Sequence, residues 1–190
     1  MLRDCVLLVG STDKSRALLQ NLIPPDFFSG VVVCQSGVEA RRILGQQSFS
    51  SIIINTPLSD ESGLDLACEA AGQTAAGVIL LVKAELADTV AVRVENEGVR
   101  VIGKHVVRTM FDQALRYACA SGKRLVLLRE ENEKLRRKLA EQRTVDRAKC
   151  MLIQHAGLTE EQAHRHIEKQ AMDTRQTKMA VAQSILAAYE

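Results

Sequence analysis

The stretch SIIINTPLSDESGLDL, residues 51–66, decides the fold. Three consecutive isoleucines, 52–54, end at Asn55, and Pro57 and Gly63 follow in the next eight residues. A short apolar run without polar alternation is typical of a strand that is buried on both faces, as in a parallel sheet. Parallel strands bring the residues at their carboxyl ends to one edge of the sheet, where ligands bind. The sequence therefore puts Asn55 where chemistry is expected, although an amide cannot act as a nucleophile as a carboxylate can.

Apolar runs of this kind recur through the first 120 residues, with amphipathic stretches between them. The predicted strands are Cys5–Val9, Val31–Cys34, Ile52–Ile54, Val78–Val82 and Val99–Ile102, and the predicted helices are 13–22, 37–46, 62–71, 85–97 and 106–119. This alternation predicts an α/β fold with a doubly wound, five-stranded parallel sheet, of the receiver or flavodoxin-like type. No G-x-G-x-x-G or G-x-x-x-x-G-K-[ST] motif follows any strand, so nothing indicates a loop that cradles a nucleotide.

A heptad pattern follows the predicted sheet. Its a and d positions are Leu125, Leu128, Asn132, Leu135, Leu139 and Gln142. Spacings of three and four residues predict a short two-stranded coiled coil, with a single solvated helix as the alternative. Asn132 at an a position would fix the register of a parallel homodimer.

The net charge of +2 is unevenly distributed. Residues 121–143 contain eight Lys and Arg against four Asp and Glu, whereas residues 1–120 contain 11 against 13 and residues 144–190 six of each. Concentrated positive charge indicates either an anionic partner or a solvated helix face. The five cysteines are odd in number and form no C-x-x-C, which favours buried thiols over a metal or disulfide site. With no run of 18 apolar residues and no secretory signal, we expect a cytoplasmic protein that does not span a membrane.

The last region contains the start and stop signals of three short helices. The first is predicted to end near Gly157, a capping box at Thr159–Gln162 starts the second, and the third is predicted to begin near Asp173 or Thr174. The residues predicted to fill its core are Ala148, Leu152, Ala163, Ile167, Ala171, Met172, Ala182 and Ile185. His164 and His166 do not share a helix face, so no zinc site is predicted. No acid–base constellation, metal site or cofactor motif indicates an enzyme.

The first 120 residues resemble the receiver domain of two-component response regulators, on topology, on Pro57 and Gly63 after the third strand, and on Lys104 after the fifth. In that family an Asp eight residues before the glycine accepts a phosphoryl group, an acidic pair after the first strand holds Mg²⁺, and a hydroxyl residue ends the fourth strand. The matching positions here are Gly10, Ser11, Asn55, Val82 and Lys104, of which only Lys104 keeps the family residue. The resemblance implies a pseudo-receiver that forms no acyl phosphate and is kept for docking or dimerisation.

A pattern of small and apolar residues over 145–186 carries a second resemblance. Its members are Ala148-Lys149, Leu152, Gly157, Glu161, Ala163, Ala171-Met172 and Ala182, with His164 where an aromatic residue is usual. The pattern resembles the ANTAR domain, the RNA-binding module of transcription antiterminators. AmiR-like members share the order of receiver, coiled coil and ANTAR domain, and likewise have a degenerate receiver. The resemblance implies a dimer that binds paired hairpins in leader mRNA and prevents the terminator stem from forming.

These features divide the chain into a pseudo-receiver domain at 1–120, a coiled-coil helix at 121–143 and a three-helix domain at 144–190. The candidate RNA contacts are Arg147, Lys149, His164, Arg165, Lys169, Arg175, Gln176 and Lys178. Arg and Lys pair with phosphates, Arg and His stack on bases, and Gln reads a base edge. Two alternatives stay open: a DNA-binding helix-turn-helix, and a dimeric scaffold that sequesters a partner protein. By analogy with the AmiR-like members, we expect a sensor protein to dock on the pseudo-receiver.

Overall fold

The computed structural model describes residues 5–25, 28–105 and 107–189. Within them the chain forms five strands and seven α-helices. The strands are β1 (Cys5–Gly10), β2 (Gly30–Cys34), β3 (Ser51–Asn55), β4 (Gly77–Val82) and β5 (Val99–Gly103). The helices are α1 (Asp13–Leu22), α2 (Gly37–Leu44), α3 (Leu64–Gln73), α4 (Ala87–Val94), α5 (Arg108–Ala156), α6 (Glu160–Thr174) and α7 (Lys178–Tyr189). None of these helices combines the length and the apolar character needed to cross a membrane.

The five strands form one parallel sheet in the order β2-β1-β3-β4-β5. Alternate residues of each strand point to opposite faces, so Leu7 and Val9 enter one apolar core whereas Val6 and Leu8 enter the other. Helices α2, α3 and α4 cover the first face, and α1 and α5 cover the second. The predicted fold class is therefore confirmed, with every predicted strand present.

Side-chain caps explain why the helices of this sheet begin where they do. Thr12 and Ser36 have extended backbone, and their hydroxyl oxygens accept the amide protons of Ser15 and Glu39 in the first turns of α1 and α2. Such caps satisfy backbone donors that have no partner inside the helix. The predicted starts at residues 13 and 37 are correct for this reason.

The prediction of a separate fifth helix at 106–119 is wrong, because α5 continues to Ala156 as one helix of 49 residues. Val106, the first residue of that predicted helix, lies outside the described residues. No proline interrupts the sequence after Pro57, and the single Gly122 costs only about 1 kcal/mol in a helix interior. One helix thus carries the packing residues of the sheet, the heptad positions and the first helix of the last region.

Close packing explains why a glycine occurs at position 122 in the middle of α5. A Cβ atom at this position would lie 2.5 Å from the carbonyl oxygen of Ala75, and one at Gly77 would collide with the backbone of Ala118. The two glycines therefore let α5 pack directly on the backbone that enters β4.

The described chain separates into two compact units, residues up to Leu128 and residues from Arg129. In the second unit α6, α7 and the end of α5 enclose a small apolar core. Its fully or nearly buried members are Ala148, Leu152, Ala163, Ile167, Ala171, Val181, Ala182, Ile185 and Leu186. Four of these are alanines, and small side chains at the contacts let helices approach closely. The division into 1–120, 121–143 and 144–190 stays a prediction.

Two expectations for this unit are wrong. Helix α6 runs to Thr174 and α7 begins at Lys178, so Asp173 and Thr174 end a helix and do not start one. Met172, predicted to be in the core, is 72% exposed. The buried positions of α6 are Ala163, Ile167 and Ala171, at a spacing of four, and Met172 lies about 100° further around the helix than Ala171.

Candidate functional site

Asn55 lies at the carboxyl edge of the sheet, as the sequence predicts. It is the last residue of β3, pairs in register with Gly10 of β1 and Leu81 of β4, and is 7% exposed. A Cβ atom at Gly10 would lie 3.6 Å from the Cβ of Asn55 and 3.3 Å from the Cγ of Arg16. Asn55, Gly10 and Arg16 therefore form one packed group at this edge.

Arg16 brings a buried positive charge to the edge of the sheet. Its guanidinium donates to the carbonyl oxygen of Gly10, at the end of β1, and pairs with the carboxylate of Asp13 one turn earlier in α1. The Arg16 residue is only 7% exposed. A buried arginine needs such partners, because an unpaired charge in a low-dielectric site is strongly destabilising.

These residues do not fit a magnesium ion. Mg²⁺ prefers anionic oxygen ligands in an octahedral arrangement, whereas the positions after β1 are Gly10 and Ser11, and the Ser11 hydroxyl donates to the carbonyl oxygen of Pro57 at 3.1 Å. Across the residues that the structure describes, no group of three or more His, Cys, Asp and Glu is arranged to hold a metal. A guanidinium beside the site repels a divalent cation further.

The other two predicted pocket residues lie at the ends of β4 and beyond β5. Val82 is buried and accepts the backbone N–H of Lys104 at 2.7 Å. The Lys104 ammonium donates to the carbonyl oxygen of Thr56, and burial, followed by repulsion from Lys83, lowers the pKa of Lys104. Thr56 in turn donates its hydroxyl to the Leu81 carbonyl at 2.8 Å. Both polar side chains are thus used to hold the backbone of this edge.

The loop between β3 and α3 is tied to the start of α2. The Asp60 carboxylate accepts the backbone N–H groups of Gly37 and Val38 at 2.9 and 3.0 Å, which lowers the pKa of Asp60. Nearby, Arg41 binds the carboxylates of Glu61 and Glu69 at 2.8 and 2.6 Å. An acid at a helix N-terminus satisfies unpaired amides and is favoured by the helix dipole. These contacts hold the loop that follows Asn55 in one position.

Several of the predicted RNA contacts are engaged by carboxylates of the three-helix unit. Lys149 lies 2.8 Å from Asp146 and 3.1 Å from Glu160, hydrogen bonds that raise the pKa of Lys149. Arg165 is 2.5 Å from Glu161. Glu168 is shared by Lys178, at 2.5 Å, and His164, at 3.2 Å, and the bond from Lys178 is the main reason that the pKa of Glu168 is lowered.

The remaining candidates are exposed. Arg147 lies on the solvent side of α5, and Lys169, Arg175 and Gln176 lie on α6 or in the turn that follows it. In the described residues Lys169 and Arg175 form no ion pair. Among the described residues, the structure therefore separates Lys149, Arg165 and Lys178, which are paired with carboxylates, from Lys169 and Arg175, which are available to an anionic ligand.

The heptad residues present a continuous apolar edge on α5. Leu125, Leu128, Leu135 and Leu139 are between 38% and 60% exposed, and Asn132 is exposed in the middle of them. Large apolar side chains in a regular row on a solvated helix indicate an interaction surface. Their spacing matches the seam of a coiled coil.

Sequence reasoning did not identify Arg16 and Thr56, whose side chains hold the sheet edge, and it placed the exposed Met172 in the core. Arg16 sits in an amphipathic helix like many solvated arginines, and its bond to Gly10 is visible only in the folded chain. Met172 gave a misleading signal because it follows the buried Ala171 directly. A strict count of helical angle from Ala163 and Ile167 would have placed Met172 outside.

Comparison with known proteins assigns the two units. A family model of the ANTAR domain matches residues 133–186. The aliphatic amidase regulator of Pseudomonas aeruginosa is 32% identical over 59 residues, which is 31% of this chain and 30% of that protein, so the matched part is less than a third of the relative's length.

The first unit is similar to solved receiver-fold structures. A receiver domain protein of Clostridium thermocellum is 22% identical, with a TM-score of 0.56 over 64% of this chain and 98% of that one. A structure described as adenylate cyclase from Rhodopirellula baltica is 25% identical, with a TM-score of 0.60 over 70% of this chain and 98% of that one. Residues 133–186 of the chain therefore match the ANTAR domain, and they follow a domain of the receiver fold.

Proposed function

We propose that this chain is a dimeric RNA-binding regulator that promotes transcription antitermination by holding paired hairpins of a leader mRNA. The observation that carries the proposal is that the ANTAR match, residues 133–186, includes all of the buried three-helix core and the second half of the heptad seam. Holding both hairpins would keep the overlapping terminator stem from forming, so polymerase would continue transcription.

The physical chemistry of the three-helix unit supports an RNA ligand. Sequence-specific proteins mostly recognise unpaired loop bases, using stacking and hydrogen bonds, while cations pair with the flanking phosphates. Exposed Lys169 and Arg175 provide the charge, and Gln176 provides an amide for a base edge. The last helix favours this reading over a helix-turn-helix, because α7 buries Val181, Ala182, Ile185 and Leu186 and has no Arg or Asn to enter a major groove.

Dimerisation through the leucine seam would give the regulator two RNA-binding units. A parallel coiled coil holds two identical units together, so binding of the first hairpin raises the effective concentration of the second site. The exposed leucines and the central Asn132 support a parallel two-stranded arrangement. The seam covers about three heptads, which on their own form only a marginal helix pair, so the receiver-fold units would contribute to the dimer.

The receiver-fold unit would act as a docking domain and not as a phosphoryl acceptor. Asn55 has no carboxylate to attack phosphorus, and Arg16 and Lys104 are already engaged with carbonyl oxygens. A sensor protein that binds this unit is the proposed input.

A dimeric scaffold that binds only protein is the second candidate. The observation in its favour is the neutralisation of Lys149, Arg165 and Lys178 by neighbouring carboxylates. A module with few available cations contacts few phosphates, so it binds RNA weakly and with a shallow salt dependence.

A mobility-shift titration of the full chain separates the two candidates. The probes are a two-hairpin RNA enriched from a pool with randomised loops, the same RNA with one loop deleted, and duplex DNA of equal length. Binding that is tight only for the intact RNA, and at least tenfold weaker for the one-loop RNA, is the expected result. Equal weak binding to all three probes, or failure to enrich any RNA, would favour the scaffold and contradict RNA recognition.

A further inference from the structure

The outer side of α6 carries an exposed methionine opposite the core. Met172 is 72% exposed, more than any other large apolar side chain that the structure describes, whereas Ala163, Ile167 and Ala171 on the inner side are buried. One exposed apolar residue alone requires no explanation. What distinguishes Met172 is the set of residues around it.

Two available cations flank Met172 along the helix. Lys169 precedes it by three residues on the same side of α6, and Arg175 follows it by three, at the position that ends the helix. Both side chains are exposed and form no ion pair among the described residues, in contrast to Arg165 and Lys178, which are held by Glu161 and Glu168. Asp173 lies about 100° around the helix from Met172 and four residues after Lys169, on the Lys169 side, and forms no ion pair with Lys169 among the described residues. We call Lys169, Met172 and Arg175 the Met172 face.

Arg175 occupies a backbone position that disfavours it. It closes α6 in the left-handed conformation, with a φ of 54°, and its backbone N–H bonds to the carbonyl oxygens of Ala171 and Met172. Glycine is the usual residue at such a helix end, because a Cβ atom is strained there. The capping bonds need only the backbone, so the guanidinium adds nothing that the fold requires. An arginine in a strained backbone conformation is a candidate for a role in binding, because its side chain is not needed for the capping bonds.

We propose that the Met172 face is where the three-helix unit contacts an unpaired base of the hairpin loop. The Met172 side chain packs on the face of the base, and Lys169 and Arg175 pair with the phosphates on either side of it. A flexible, polarisable thioether fits a flat π surface, and an apolar contact between two cations is complementary to a nucleotide, whose base is flat and whose phosphates are anionic. The inference rests on the proposed RNA-binding function and names the surface that performs it.

The test compares variants of the full chain on the two-hairpin RNA by mobility shift at several salt concentrations. Met172→Gln is expected to weaken binding about tenfold with an unchanged salt slope, because it removes a base contact and no charge. Arg175→Asn, whose new residue tolerates the left-handed conformation, is expected to weaken binding about tenfold and to lower the salt slope by about 0.7. Met172→Leu is expected to stay within threefold of the unmodified chain.

Matched controls separate binding from folding. Met110→Gln removes a methionine of similar exposure, 61%, from the other compact unit, and Arg136→Gln removes an exposed charge from α5; both are expected to bind normally. Arg175→Gly relieves the backbone strain, so it is expected to raise the melting temperature while it weakens RNA binding. Such opposite changes cannot come from partial unfolding.

The outcomes distinguish the two proposals. If the unmodified chain binds the RNA and the Met172 and Arg175 variants bind it within twofold, the Met172 face is not the contact and RNA binding stands. If the unmodified chain binds no RNA, both proposals fail.

Discussion

The edge of the sheet and the three-helix unit use their cations in opposite ways. Arg16 and Lys104 donate to backbone carbonyls of their own unit, and their charge contributes to holding that edge together. On α6, Lys169 and Arg175 stand exposed beside Met172 without an ion pair in the described residues. A cation that is used inside the fold cannot also bind a ligand. Under the proposed function, recognition would therefore take place on the surfaces of helices and not at the sheet edge.

The most direct test of this difference is whether the sheet edge can be phosphorylated. Incubation of the full chain with acetyl phosphate and Mg²⁺ is expected to add none, because Asn55 has no carboxylate and the residues at positions 10 and 11 supply no acidic ligand. Intact-mass spectrometry measures the result, and a gain of one phosphoryl group that maps to residues 1–128 would contradict it.

Asn55→Asp tests whether the amide alone is responsible. We expect this variant also to stay unmodified, because the guanidinium of Arg16 and the missing acidic pair still prevent metal binding. Efficient phosphorylation of Asn55→Asp would show that one substitution had silenced the pocket and that Arg16 is no obstacle.

The next largest expected effect is on dimerisation through the heptad residues of α5. A double change, Leu135→Asp with Leu139→Asp, is expected to convert a dimer into a monomer, because two charges would then face two charges across the seam. Loss of the second RNA-binding unit should weaken binding to the two-hairpin RNA about 100-fold, and binding to the one-loop RNA much less.

Sedimentation equilibrium and the mobility shift together check this prediction. Leu127→Asp is the matched control, since Leu127 is 66% exposed but lies outside the a and d positions. If the unmodified chain sediments as a monomer, or if the double variant remains dimeric, the heptad residues of α5 do not form the dimer interface.

The sequence predicted most of the sheet because its signals are local. Runs such as Val78–Val82 are apolar, short and bounded by loop residues, and Thr12, Ser36 and Thr159 are cap residues whose effect reaches only three positions along the chain. The same local signals explain why the capping box of α6 was found at the correct residue.

What the sequence did not predict depends on contacts between distant residues or on weak local preferences. Arg16 reads as a solvated helix residue until Gly10 is folded against it. The turn after α6 was misplaced because Arg175, and not glycine, adopts the left-handed conformation there. Residues 108–156 form one helix, α5, and not the separate helices expected from the sequence, because neither a proline nor a cap divides them.

Removing the internal role of Arg16 should destabilise the receiver-fold unit. Arg16→Met keeps most of the apolar stem but leaves the Gly10 carbonyl without its guanidinium donor, and an unsatisfied buried acceptor costs about 1–3 kcal/mol. Urea unfolding of the full chain, followed by circular dichroism, measures the change in the free energy of unfolding. Arg42→Met, at an exposed position of α2, is the control and should change it by less than about 0.5 kcal/mol. Equal stability of the two variants would mean that water replaces the guanidinium at this edge.

The smallest effect concerns Glu168, whose carboxylate contacts Lys178 and His164 on the three-helix unit. The Lys178 ammonium, with a further contribution from His164, lowers the pKa of Glu168 below its usual 4.5. A carboxyl with a lowered pKa in the folded state stabilises it above the unfolded pKa, and this contribution is lost as the pH falls through the folded pKa. Glu168→Gln should therefore lower the melting temperature slightly at pH 7 and not at pH 2.

The same change should have the opposite effect on RNA binding. Without the carboxylate, Lys178 and His164 join Lys169 and Arg175 as available groups, so affinity for the two-hairpin RNA should rise a few-fold and its salt slope should steepen by up to about 0.7. Glu131→Gln on the exposed side of α5 is the matched control and should alter neither property. An affinity that falls with Glu168→Gln would mean that Glu168 positions Lys178 for the RNA, and the division between neutralised and available cations would then be incorrect.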